Sequence, residues 1–118
     1  MKTLGFAREH RLHLQKDFED VFKNGKKTFV KDVVLWHKPI SRSDVKIGIV
    51  ISKKLGPAVQ RNRVKRLIRE VFRLNRQKIT RGALLVISPR DCERFKNFET
   101  AQDTVLELWQ KAGLTETE

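Results

Sequence analysis

The chain has 118 residues, with 26 Lys+Arg against 14 Asp+Glu and a formal net charge of +12. That length suits one domain, and a hydrophobic content of 39% supplies a core, which excludes wholesale disorder. The single cysteine, Cys92, excludes an intrachain disulfide and a cysteine-based zinc site.

Residues 1–14 read as a basic, extended arm. The arm lacks the apolar stretch of a secretory signal, and no apolar run in the chain approaches the roughly 20 residues of a membrane span. With one cysteine, the expected setting is the reducing cytoplasm. Phe18, Val21 and Phe22 stand at helical spacing within 16–23, and Asn24-Gly25 stops that helix. The Val-, Phe- and Trp-rich run 28–37 predicts a strand, and 40–44 a turn. Over 45–52, Val45, Ile47, Ile49 and Ile51 alternate with Lys46, Gly48 and Val50, which predicts a second strand.

Gly56-Pro57 precedes a long helix, 58–77, with Pro57 near its first turn. Residues 83–88 (ALLVIS) predict a third strand, ended by Pro89. Residues 98–112 predict a last helix with Ala101, Val105, Leu108, Trp109 and Ala112 inward and Gly113 as its cap. Residues 114–118 should fray. The reading is a single α+β domain over 1–118, a two-layer α/β sandwich in the order αββαβα. The last strand returns through a helix and so can lie parallel to the second.

The charge is segregated. Between Lys53 and Arg81 lie eleven basic residues and one acid, Glu70, which places +10 of the +12 in a quarter of the chain. On a helical wheel with Val64 at zero, Leu67, Ile68, Val71, Phe72 and Leu74 fall within about 80° of it. Asn62, Lys65, Arg66, Arg69, Arg73 and Arg76 occupy the opposite side, between about 100° and 200°. A solvated helix face ordinarily mixes Glu with Lys, because like charges at i, i+4 each cost a few tenths of a kcal/mol. Here Lys65/Arg69 and Arg69/Arg73 repel at that spacing. The pattern fits a polyanion-binding face, and the preponderance of Arg suits bidentate phosphate contact. It does not separate DNA from RNA, although no helix-turn-helix pair or zipper accompanies it.

Phe18 and Phe22 share a helix face, and Trp36 shares a strand face with Val34 and Lys38. If the helix crosses the sheet, the three rings line a groove able to stack single-stranded bases. Taken alone, the spacing of Phe18 and Phe22 better fits two core phenylalanines. No residue is assigned a catalytic role. Asp17, Glu19 and Asp20 point to different sides of a short helix, His10 and His13 have no third ligand nearby, and His37 ends a strand. Neither a clustered metal site nor a phosphate-cradling glycine loop is legible.

The run SKKLGPAVQRNRVKRLIREVFR, from Ser52 to Arg73, closely resembles the signature of the bacterial ribonuclease P protein subunit. The Phe-x-x-x-Phe helix before Gly25, the strand with Trp36, the Ile-Gly-Ile-Val-Ile strand and the closing helix with Trp109 also follow that family's order. The resemblance implies a ribonucleoprotein whose RNA subunit cuts the 5′ leader from precursor tRNA. The Mg²⁺ it requires would be held by that RNA and the substrate, not by a protein site. It implies contact with the catalytic RNA through Arg61, Asn62, Arg63, Lys65, Arg66 and Arg69, with Arg73 further along the helix. It implies leader contact through Phe18, Phe22 and Trp36, with Lys53, Lys54 and Arg90 at the edge, and one protein per RNA. It also implies a left-handed β-α-β crossover, against the general right-handed rule. Trp36 stands where the family often has Tyr. The competing readings are a ribosomal or RNA-assembly protein using the same basic face, and a metal-dependent nuclease acting alone.

Overall fold

A computed structural model describes residues 11–12, 14–41 and 44–115. The elements are α1 (Gln15–Asn24), β1 (Lys26–Val30), β2 (Val33–Pro39), β3 (Val45–Ile49), α2 (Ala58–Asn75), β4 (Ala83–Pro89) and α3 (Phe98–Lys111). The α+β class holds, as do the three helices. The single strand expected over 28–37 is instead a hairpin, β1–β2, so the sheet has four strands in the order β1-β2-β4-β3. Its two-residue turn is Lys31-Asp32, with Lys31 at φ 54°. Positive φ usually selects Gly or Asn, and neither is present to mark the turn.

β1 pairs antiparallel with β2, and β2 with β4, while β3 and β4 are parallel neighbours joined through α2. Alternation along each strand gives the sheet two faces. Val33, Leu35, Val45, Ile47, Leu85 and Ile87 form the main core with Val64, Ile68, Val71 and Phe72 of α2 and Ala101, Val105, Leu108 and Trp109 of α3. Phe72 meets Trp109 edge-on at 6.1 Å between ring centroids. On the other face Leu84 and Val86 pack beneath Val21 of α1, with Leu12 beside them. Thus α2 and α3 lie on one face of the sheet, and α1, with Leu12 beside it, crosses the opposite face.

Two expectations about the chain's ends change. The arm expected over 1–14 is docked by its last part: Leu12 is buried and its N–H donates to the Ile47 carbonyl at 3.0 Å. At the other end, Leu114 is buried and Thr115 bridges to Ile79, so fraying does not begin at 114. In each case one apolar side chain joins the core, which local sequence does not disclose. The remaining residues of the arm (1–10 and 13, with His10 and His13) and of the tail (116–118) lie outside the described residues.

Candidate nucleic-acid interface

Helix α2 is capped by Pro57 without a side-chain hydrogen bond and has no acid in its first turn. Its apolar stripe anchors it on the sheet and turns its basic residues outward. Asn62, Arg63, Arg66 and Arg73 are exposed, and Arg61, Lys65 and Arg69 are partly exposed. Arg61 Nε donates to the Gly56 carbonyl at 3.0 Å, and Arg63 Nη2 to the Lys96 carbonyl at 3.0 Å. Each bond orients a guanidinium while leaving most of its five N–H donors available. Burial, and then the nearby charge of Arg11, lower the Arg69 pKa. Among the described residues, Arg73 is the one cation of this face paired with a carboxylate: its Nε and Nη2 donate to Glu70 at 3.1 and 2.5 Å. That pairing raises the Arg73 pKa and lowers that of Glu70. Leu74, expected in the apolar stripe, is 44% exposed, because it stands at the margin of the buried arc.

The second region is assembled from several elements. Gly25 lets the chain pass from α1 into β1, since a Cβ there would come within 2.5 Å of the Val21 carbonyl and 2.7 Å of the His37 carbonyl. Lys38 Nζ donates to Asp20 and ties α1 to β2. Gly48 leaves room for Phe18, whose ring would lie 2.6 Å from a Cβ on β3. Phe22 then stands 6.4 Å from Phe18 and 4.9 Å from Trp36, edge-on to the indole at 89°. The three rings therefore converge as the spacing suggested. Phe18 is half-buried against the small core, whereas Phe22 is 43% exposed.

Parallel pairing sends β3 and β4 toward the same end of the sheet. There Lys53 and Lys54 lie in a short 3-10 turn capped by Ser52, whose Oγ accepts from the Lys54 N–H at 3.1 Å. At the same end the Arg90 N–H donates to the Asp32 carbonyl at 2.6 Å, beside the hairpin turn. All three side chains are exposed.

The sequence reading missed Lys27 and Phe29 on this face. The register pairs Lys27 with Trp36 and Phe29 with Val34. Lys27 Nζ lies 5.3 Å from the Phe29 ring centroid and 5.4 Å from that of Trp36. In one continuous strand, odd residues oppose Trp36; a two-residue turn reverses that parity. Recognising the turn was the only signal that would have found them.

Of the remaining candidates, His37 is buried on the strand side opposite Trp36, and Cys92 donates weakly to the Leu55 carbonyl at 3.7 Å. Among the described residues, no group of three or more His, Cys, Asp or Glu side chains is placed to hold a metal ion. No helix among them is long and apolar enough to cross a membrane.

A small α+β domain with an arginine-faced helix and a separate platform of partly exposed rings is equipped as an RNA-binding protein. The comparisons narrow this class. The profile of the ribonuclease P family matches residues 6–113. The chain is 33% identical over 115 residues to the ribonuclease P protein component of Dictyoglomus thermophilum, covering 96% of both chains. It is 34% identical over 113 residues to that of Thermotoga maritima, covering 92% of this chain and 97% of the other. The solved Staphylococcus aureus RNase P protein superposes with a TM-score of 0.81 at 25% identity, covering 91% of this chain and 98% of that one. The Thermotoga maritima protein superposes with a TM-score of 0.78, covering 86% and 96%. This chain belongs to the ribonuclease P protein family, and its element order and crossover agree with those structures.

Proposed function

We propose that this chain is the protein subunit of a bacterial-type ribonuclease P in the cytoplasm. It acts with a catalytic RNA, one protein per RNA, to remove the 5′ leader of precursor tRNA. The α2 face, Arg61, Asn62, Arg63, Lys65, Arg66, Arg69 and Arg73, binds the catalytic RNA. Phe18, Phe22 and Trp36 stack the bases of the single-stranded leader, and Lys53, Lys54 and Arg90 meet its phosphates. The cleavage belongs to the RNA, with Mg²⁺ held by RNA and substrate. The protein's part is to hold the leader and reduce phosphate repulsion, which lowers the Mg²⁺ requirement.

The observation that supports this most is the separation of the two regions. A row of cations without bases to read suits a folded RNA backbone. Exposed rings beside scattered cations suit a flexible strand. One chain can then grip both partners at once.

The test is leader removal by a bacterial ribonuclease P RNA at low Mg²⁺, with and without this protein. Stimulation that grows as Mg²⁺ falls supports the reading. Equal rates with and without protein, or cleavage by the protein free of RNA, overturn it. Tight binding to ribosomal RNA with no effect of leader length supports the RNA-assembly alternative instead.

A further inference from the structure

The edge strand β1 carries a feature that the proposed leader site does not use. Phe29 is 50% exposed, the most exposed aromatic ring among the described residues. A large apolar side chain held open on an edge strand has a use or is a liability. Its backbone is fixed on both sides. The N–H and C=O ladder of β1 joins it to β2, and Lys111 Nζ of α3 donates to the Phe29 carbonyl at 3.1 Å. The ring is thus presented by a rigid element.

Its surroundings identify the occupant. The Lys27 ammonium touches the faces of both Phe29 and Trp36, and Trp36 touches Phe22. Phe18, Phe22, Trp36 and Phe29 therefore form a row from α1 to the sheet edge. Lys27 forms no ion pair among the described residues. Toward the hairpin turn, Lys31 and Arg90 are also exposed. A second protein copy pairing through β1 would bring this positive edge against itself. A polyanion with flat apolar groups complements both the rings and the cations.

We propose that Phe29 and Lys27 form an additional stacking station, which takes a leader base beyond those held at Phe22 and Trp36, with Lys27 on the adjoining phosphate. The inference rests on the leader-binding reading above and extends it: this protein grips more of the leader than the α1 platform alone allows.

The experiment measures the affinity of the reconstituted holoenzyme for precursor tRNAs whose leaders increase one nucleotide at a time. Wild type, Phe29→Ala, Phe29→Trp, Lys27→Ala and Phe22→Ala are compared, with thermal melts to verify folding. Phe29→Ala should match wild type on short leaders. It should lose at least about fivefold on long ones, the low end for one stacked base. Phe29→Trp should restore the loss, and Lys27→Ala should reduce the salt slope on long leaders by about 0.7. If Phe22→Ala loses leader affinity while Phe29→Ala equals wild type at every length, the station is refuted and the leader site stands. If neither variant depends on leader length, the leader reading itself fails. A protein dimer abolished by Phe29→Ala would assign the ring to self-association and overturn the proposal.

Discussion

The arginine face of α2 and the aromatic face between α1 and the sheet are built on opposite plans. The first is a single stretch of helix whose apolar stripe anchors it and whose cations contribute nothing to the core. The second draws its rings from α1, β1 and β2, and two of them, Phe18 and Trp36, also pack on the small core. Binding and stability are therefore separable on α2 and entangled on the aromatic face, so equivalent substitutions should have different consequences.

The largest effect is expected where the entanglement is strongest. Phe18 packs on Leu12, Val21, Leu84 and Val86 and fills the space above Gly48. Phe18→Ala should destabilise the protein by about 2–3 kcal/mol, below the roughly 3–5 of a fully buried Phe, because the ring is only partly buried. Thermal or denaturant unfolding measures this. An unchanged midpoint would remove Phe18 from the core and make the aromatic face purely a binding surface.

Phe22 is the cleaner probe. Its ring is 43% exposed and contacts Phe18 and Trp36 edge-on or tilted. Phe22→Ala should leave unfolding nearly unchanged and weaken holoenzyme binding of leader-bearing precursor by about 1–3 kcal/mol, the worth of one stacked base. Mature tRNA should bind as before. Equal losses for both ligands would mean that the ring acts through structure alone.

The same difference in plan explains what the sequence disclosed. A face made by one helix is visible on a wheel, and Lys65, Arg66, Arg69 and Arg73 stand where periodicity placed them. The alternation of β3 was equally visible, and Gly56 and Gly113 marked real boundaries at φ 130° and 77°. The aromatic face was legible only as far as α1 and Trp36. Its β1 half was hidden because the run Phe29-Val30-Lys31-Asp32-Val33-Val34 contains no Gly, Pro or Asn and only Asp32 as a turn former, so two strands read as one. Leu12 and Leu114 were lost for a related reason: one or two apolar residues in a polar segment set no usable period, and only the finished core takes Leu12 in and leaves Leu14 exposed.

On the basic side, Arg69 and Arg73 sharpen the comparison within one helix. Arg69 has no carboxylate partner among the described residues, whereas Arg73 is held by Glu70. Arg69→Ala should reduce the salt slope of catalytic-RNA binding by about 0.7–0.9, one phosphate contact, without altering the unfolding midpoint. Arg73→Ala should change the slope less. The reverse ranking would show that the Glu70 pair opens when RNA arrives.

Acid should affect the fold before it affects either face. Burial, and then the charge of Lys26, hold the His37 pKa below its ordinary 6.5. The folded state thus resists a proton that the unfolded chain accepts. Stability is unaffected above about pH 6.5, and it falls as the pH drops from there toward the lowered folded value. His37→Gln should flatten that decline. If the decline persists in the variant, its origin lies in another group.

The smallest expected effect concerns the one acid in the basic segment. Glu70 accepts two hydrogen bonds from Arg73 and fixes it along the helix. An exposed pair of this kind adds little to stability. Its larger consequence is to withhold one guanidinium from solvent phosphate and to cancel one positive charge. Glu70→Gln retains the shape and removes both effects. The variant should unfold at nearly the wild-type midpoint and bind the catalytic RNA slightly more tightly. Its salt dependence should be steeper by up to about 0.9, as Arg73 becomes a further phosphate contact. If the slope does not change, Arg73 already reaches the RNA in the complex, and the α2 face carries its full complement of contacts without help.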